Sequence, residues 1–202
     1  GEFIGGDAAT WQSFLDAGRE YVASADNYYI DSLSSAFQAA INLLPSAFED
    51  PESGKPYDMA ENDDVKELFM MFADAAQDGI SAGIPIGHSD WGAGFQNKQW
   101  ATVVTPAWMA GIIADSADGI PGWRISETFP DGGGNWGGSF FAVPSTGENT
   151  EWAVKLADYL TSPDAAVQWF HETGQFPSQL EAIASPDIAD AENEFFGGQK
   201  VG

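Results

Sequence analysis

The sequence predicts a helix-rich α/β fold, and three observations carry that reading. Apolar residues recur at three- and four-residue steps in several long windows, as they do on a helix with one buried face. Two short apolar runs, Trp100–Thr105 and Ser139–Val143, lie among the helical windows and read as buried strands. Hydrophobic residues make up 44% of the 202 residues, enough for a sizeable core, and proline or glycine punctuates several of the boundaries.

Taken in order, Thr10 is an N-cap for an amphipathic helix carrying Trp11, Phe14, Leu15, Gly18 and Val22. A second helix runs through Leu33, Phe37, Ala40, Ile41 and Leu44 to a stop at Pro45. Residues 45–60 form a loop that carries Tyr57. The clearest helix follows, with Val65, Leu68, Phe69, Phe72, Ala76 and Ile80 in period and Glu61, Asp63 and Asp64 suited to its positive end. Trp91 to Lys98 reads as a short helix ahead of the Trp100–Thr105 strand. Pro106 then opens a helix from Ala107 to about Ala114, at a position where its missing N–H costs nothing. Trp123 to Phe129 alternates weakly, as an edge strand does, and a Gly-rich turn at Asp131–Gly134 leads to the strand Ser139–Val143, ended by Pro144. Ala153, Leu156, Ala157 and Leu160 share a helix face, Ser162-Pro163-Asp164 caps the next helix, and Gly174 ends it.

The charge excludes whole classes of partner. There are 31 acidic residues against 7 basic ones, a net of -24. Nucleic acid, anionic lipid and anionic substrates are disfavoured by such a field, so no nucleic-acid partner is expected. A calcium loop needs Asp or Asn at alternating positions before a turn glycine and a distal Glu, and neither Asp26–Asp31 nor Glu61–Asp64 has that spacing. Cysteine is absent, which removes disulfides, thiol chemistry and Cys-based metal sites. No run reaches the roughly 18 apolar residues of a membrane span. No signal peptide is visible in Gly1–Gly6, so the protein is either cytosolic or represented here from a point beyond its targeting segment.

Several catalytic patterns nearly match and fail on physical grounds. Gly132–Gly137 satisfies G-x-G-x-x-G, but the residues after it are strand-like, whereas a dinucleotide loop must open a helix. His171-Glu172 begins a zinc-protease pattern, yet Gln175 stands where the second histidine belongs. Gly87–Trp91 lacks the last glycine of a nucleophile elbow. No catalytic residue, metal or cofactor is assigned. The tryptophans say more. There are eight, and Trp91, Trp108 and Trp136 sit beside glycine, proline or asparagine, where flat rings are free to stack on the C–H faces of a sugar. Trp11, Trp152 and Trp169 lie on helix faces and read as core packing. Trp108 lies at a strand-to-helix junction, the place where open α/β folds put their ligand crevice, and the glycines after Trp136 allow backbone to approach a ligand.

Four ordered stretches carry a resemblance: Ala101–Met109, Gly134–Pro144, Leu160–Ala166 and Gly174–Ser178. Together, from about Thr10 onward, the chain resembles the family 1 extracellular solute-binding proteins of ABC sugar importers, in particular the actinobacterial cellobiose- and xylo-oligosaccharide-binding members. The resemblance implies a two-lobed, type II periplasmic-binding-protein-like (Venus flytrap) fold that holds a neutral oligosaccharide in its cleft, without catalysis. By the same likeness Trp108 is the stacking tryptophan of the second lobe, and Asn135 and Trp136 are the cleft-facing pair before Gly137-Gly138. Asp31, Tyr28 and Tyr29 fall where the family places a helix bordering the cleft, and Trp91 is a further candidate contact.

The implied partners are the sugar and the membrane permease subunits. The implied setting is a monomer at the cell surface, lipid-anchored and extracellular. Family members are about twice as long, so the chain is expected to be a fragment, mainly the C-terminal lobe. Residues 1–144 then belong to the second lobe, 145–185 cross as helices to the first, and 186–202 begin the return. On its own such a chain is expected to bind sugar weakly or not at all. The competing readings are a glycoside-active enzyme or carbohydrate-binding module, and a plain interaction domain with its tryptophans in a core.

Overall fold

The computed structural model describes residues 9–56, 61–126 and 128–200, so the chain start and Tyr57 lie outside the described residues. The chain divides into two compact units. The first comprises Gly1–Thr105, Ser116–Asp118 and Ser126–Trp136, and the second Pro106–Asp115, Gly119–Ile125 and Gly137–Gly202.

In the first unit, helix α1 (Trp11–Val22) starts where expected. Thr10 accepts from the Ser13 backbone N–H at 3.1 Å, and the Ser13 hydroxyl returns a bond to the Thr10 N–H, satisfying two otherwise unpaired donors. Strand β1 (Tyr28–Ile30) follows and feeds directly into α2 (Leu33–Ile41). This corrects one expectation: Tyr28 and Tyr29 are not helical, and Asp31 sits between a strand and the start of a helix. The physical reason is a partner on each side of this short aromatic and β-branched run. β1 pairs in parallel with β2 (Trp100–Thr102), Tyr28 opposite Trp100 and Ile30 opposite Thr102. Its other edge meets residues 80–82, where Tyr29 N–H donates to Ile80 O and Ala82 N–H to Ile30 O, both at 2.9 Å.

Helix α3 (Asp63–Gln77) is capped by the Asn62 side chain and buries Val65, Leu68, Phe72 and Ala75. Ile80, expected on that helix, is instead buried on the extended segment beside β1. The core gathers Trp11, Phe14, Leu15, Tyr29, Ile30, Ala36, Ala40, Phe72 and Ile80. Gly18 lets α1 and β1 touch, because a Cβ there would stand 2.6 Å from the Tyr29 ring. Helix α4 (Trp91–Gln96) packs Phe95 between Trp91, at 4.6 Å between ring centres, and Trp100, at 5.4 Å. Gly94 faces the Trp100 indole so closely that any Cβ would overlap it.

After Trp100–Thr102 the ladder ends early, leaving Val103–Thr105 outside a strand. Ala107–Met109 form a 3₁₀ turn that continues as α5 (Ala110–Ser116). In the second unit, α6 (Thr150–Leu160) precedes α7 (Pro163–Thr173), whose Ser162 cap and left-handed Gly174 end match the sequence signals. Helices α8 (Leu180–Ile183) and α9 (Pro186–Ala189) close against α7 around Phe170, Ala166, Ala182 and Ile188. A small antiparallel pair, β3 (Glu192–Asn193) with β4 (Gln199–Lys200), is tied to the 119–125 segment. Arg124 donates to Phe196 O and Gly197 O, and Gln199 bonds both backbone groups of Ile125.

Two expected strands are not formed. The described residues of Trp123–Phe129 and all of Ser139–Val143 have no ladder. Strand-like side chains make a strand only when a neighbouring backbone accepts their N–H groups, and Phe140, at 97% exposed, lacks that setting. Trp11 is core as expected. Trp152 and Trp169 are exposed, because α6 has no buried residue and α7 turns Ala166 and Phe170 inward.

Candidate functional site

The carboxyl ends of parallel strands are where an open α/β sheet places its ligands. Here that edge is built from Asp31 after β1, the segment leaving Ile84, and Val103–Thr105 after β2. Asp31 is fully buried. Its carboxylate accepts from the Ser32 backbone N–H at 2.7 Å and from the Trp91 indole N–H at 2.8 Å. Burial pushes its carboxyl up to about 7, while the bonds from Trp91 and Ser32 pull the other way. Two sequence-identified candidates, Asp31 and Trp91, are thus brought together as partners in the interior. Tyr28 shares the strand and keeps much of its ring exposed. Burial also pushes the neighbouring Tyr29 hydroxyl upward.

Trp136 is half-buried against the aromatic and aliphatic core of the first unit, beside an exposed Asn135. The preceding Gly134 lies against the end of the Leu43 side chain, which would have to shift to admit a Cβ. Trp108 belongs to the second unit, in the 3₁₀ turn opened by Pro106, with 45% of its surface exposed. Exposed indole faces with amide and hydroxyl neighbours can stack on an apolar ring face and bond its rim. Among the described residues no cluster of His, Asp and Glu is arranged to hold a metal ion.

Sequence reading missed Ser32, Ser81 and Thr105. Ser32 starts α2, and the Ser81 hydroxyl accepts from Leu33 N–H at 3.2 Å, joining two chain segments at the sheet edge. The Thr105 hydroxyl is buried without a hydrogen-bond partner among the described residues. The Asp31-Ser32-Leu33 cap signature was the available signal for the first; nothing local marked the other two.

Comparison with known proteins accords with this architecture. The family model for bacterial extracellular solute-binding proteins matches residues 6–196. A comparison with curated protein sequences finds no match. A crystal structure of an extracellular solute-binding protein of family 1 is similar at 32% identity and a TM-score of 0.89, covering 98% of this chain and 51% of that one. A solute-binding protein of an ABC transporter from Thermotoga lettingae, solved with α-D-tagatose bound, is similar at 20% identity and a TM-score of 0.59. That match covers 87% of this chain and 48% of that one, and at this identity the likeness shows the fold alone. The chain therefore spans about half the length of these solved relatives. Among the described residues no helix is long and apolar enough to cross a membrane. With its family model matched from residue 6 to residue 196, the chain belongs to the bacterial extracellular solute-binding proteins.

Proposed function

We propose that this chain supplies one wall of a site that holds a neutral oligosaccharide, β-linked gluco- or xylo-, for delivery to an ABC import permease without chemical change. The observation that carries the reading is Trp108: a tryptophan left 45% exposed in the first turn after a strand, in a family of solute binders. Trp136 and Asn135 supply a second aromatic face and an amide, and Tyr28 a third ring. The net charge of -24 favours an uncharged ligand. The tagatose seen in the Thermotoga relative is consistent with a sugar.

In the intact protein the chain is the greater part of the second lobe, with residues 145–185 crossing to the first. A sugar bound between lobes favours the closed state through its extra contacts there, and closure presents the permease-binding surface. The protein works outside the cell, lipid-anchored and as a monomer.

The test is titration of the 202-residue chain with cellobiose and xylobiose while following tryptophan indole N–H resonances by NMR. Millimolar sugar should shift the Trp108 and Trp136 resonances. Sugar shifts confined to other tryptophans would overturn the reading. Micromolar binding by calorimetry would show that this chain carries the whole site rather than one wall. Hydrolysis of an aryl glycoside would point to an enzyme instead.

A further inference from the structure

Asp31 binds both ends of one loop. Its backbone carbonyl accepts from Ile84 N–H at 2.9 Å, where the chain leaves the edge of β1. Seven residues later the chain returns, and the Trp91 indole N–H donates to the Asp31 carboxylate at 2.8 Å. Between these points run Pro85, Ile86, Gly87, His88, Ser89 and Asp90, the last four exposed. The loop also has internal bonds: His88 N–H to Pro85 O, Trp91 N–H to His88 O, and Asp90 N–H to the His88 Nδ1. It stands at the carboxyl edge of the parallel strands, beside the start of α2.

We propose that Asp31 is a positioning residue for the solute site: by binding Ile84 and Trp91 together it staples the 84–91 loop to the strand edge and so fixes one polar border of the site. This rests on the solute-binding reading given above. Complete burial keeps Asp31 from touching solute directly. A carboxylate is costly to bury without a cation, and α2, the 80–84 segment, β2 and α4 carry no ionisable side chain to pair with it. Its own strand carries only the phenols Tyr28 and Tyr29, and the loop carries His88 and Asp90, whose Nδ1 and Oδ2 lie 3.8 Å apart. What Asp31 has instead is N–H donors: its own backbone, Ser32 at the start of α2 and Trp91 at the end of the loop. That arrangement suits a hub of local order.

The experiment uses the 202-residue chain and two variants, Asp31→Asn, which keeps the packing and changes the acceptor, and Trp91→Phe, which keeps the carboxyl and removes the indole donor with part of the ring. Amide hydrogen exchange at His88 and Trp91 should quicken about tenfold or more in Trp91→Phe, as befits a lost bond to a charged group, while α1 and α3 stay protected. In the wild type the Trp91 indole N–H resonance should titrate with a midpoint near 7, and in Asp31→Asn it should be flat. Unchanged loop exchange in both Trp91→Phe and Asp31→Asn would overturn the staple. The sugar titration separates the two ideas. A loop that loosens in a chain where sugar shifts only tryptophans other than Trp108 and Trp136 retains the staple and removes the solute reading. Sugar shifts at Trp108 with an unmoved loop in both variants do the reverse.

Discussion

Helices α3 and α6 are both amphipathic, and the chain treats them oppositely. α3 presses Val65, Leu68, Phe72 and Ala75 into the first core, where Phe72 meets Trp11 at 5.5 Å and Phe37 at 5.7 Å. α6 carries Trp152, Leu156, Tyr159 and Leu160 and buries none of its residues, with Lys155 lying over the Trp152 ring at 4.5 Å. The difference teaches that periodicity identifies a face fit for burial, while burial itself requires a partner. α3 has α1 and α2 beside it; among the described residues the apolar face of α6 is left to water.

Four measurements break or sharpen that contrast. The largest effect is expected at Phe72→Ala, which leaves a hole beside the Trp11 and Phe37 rings and should cost about 3–5 kcal/mol in urea unfolding. A loss below about 1 kcal/mol would show that the core closes over the gap. Next is the pH dependence set by Asp31. The folded state holds the proton up to about 7 and the unfolded chain releases it near 3.8, so the folded state binds more protons between those values. Stability therefore falls as pH rises through that window and levels off above it. At about 1.4 kcal/mol per pH unit this amounts to roughly 4 kcal/mol, on top of the slope the other acids contribute. The melting temperature of Asp31→Asn minus that of the wild type should climb from pH 4 to pH 7; a constant difference would contradict the buried, uncompensated carboxyl.

Gly94→Ala comes third. The added methyl meets the Trp100 indole, and the overpacking should cost about 1–3 kcal/mol and disturb the Trp91–Phe95–Trp100 stack, readable in near-UV circular dichroism. An unchanged spectrum and midpoint would mean that α4 slides freely. The smallest effect belongs to Leu156→Ala on α6, within about 0.5 kcal/mol, because the side chain is already in water. A loss of about 2 kcal/mol or more there would reveal a cover over α6 in solution.

Much of the helical framework was legible because its signals are local. Thr10, Ser162-Pro163 and Gly174 mark helix ends through their own hydrogen bonds or backbone angles, and these ends lie where those residues put them. The strands were harder. Tyr28–Ile30 is too short to show a period and became a strand because Ile80–Ala82 and Trp100–Thr102 flank it. Ser139–Val143 has the better strand composition and formed none, for want of a neighbour. The site divides in the same way. Trp108 stood out through its place just after Pro106, whereas no spacing rule joins Asp31 to Trp91 across sixty residues.

The sequence by itself determined the helix-rich α/β class, the helix caps, the acidic surface and the aromatic candidates, since each rests on residue chemistry or on neighbours within a turn or two. Only the tertiary structure decided which amphipathic faces are buried, which extended runs become strands, and that Asp31 serves Trp91 in the interior. Those outcomes depend on what another part of the chain brings alongside, and a backbone N–H, an apolar face or a carboxylate is satisfied only by the partner that arrives.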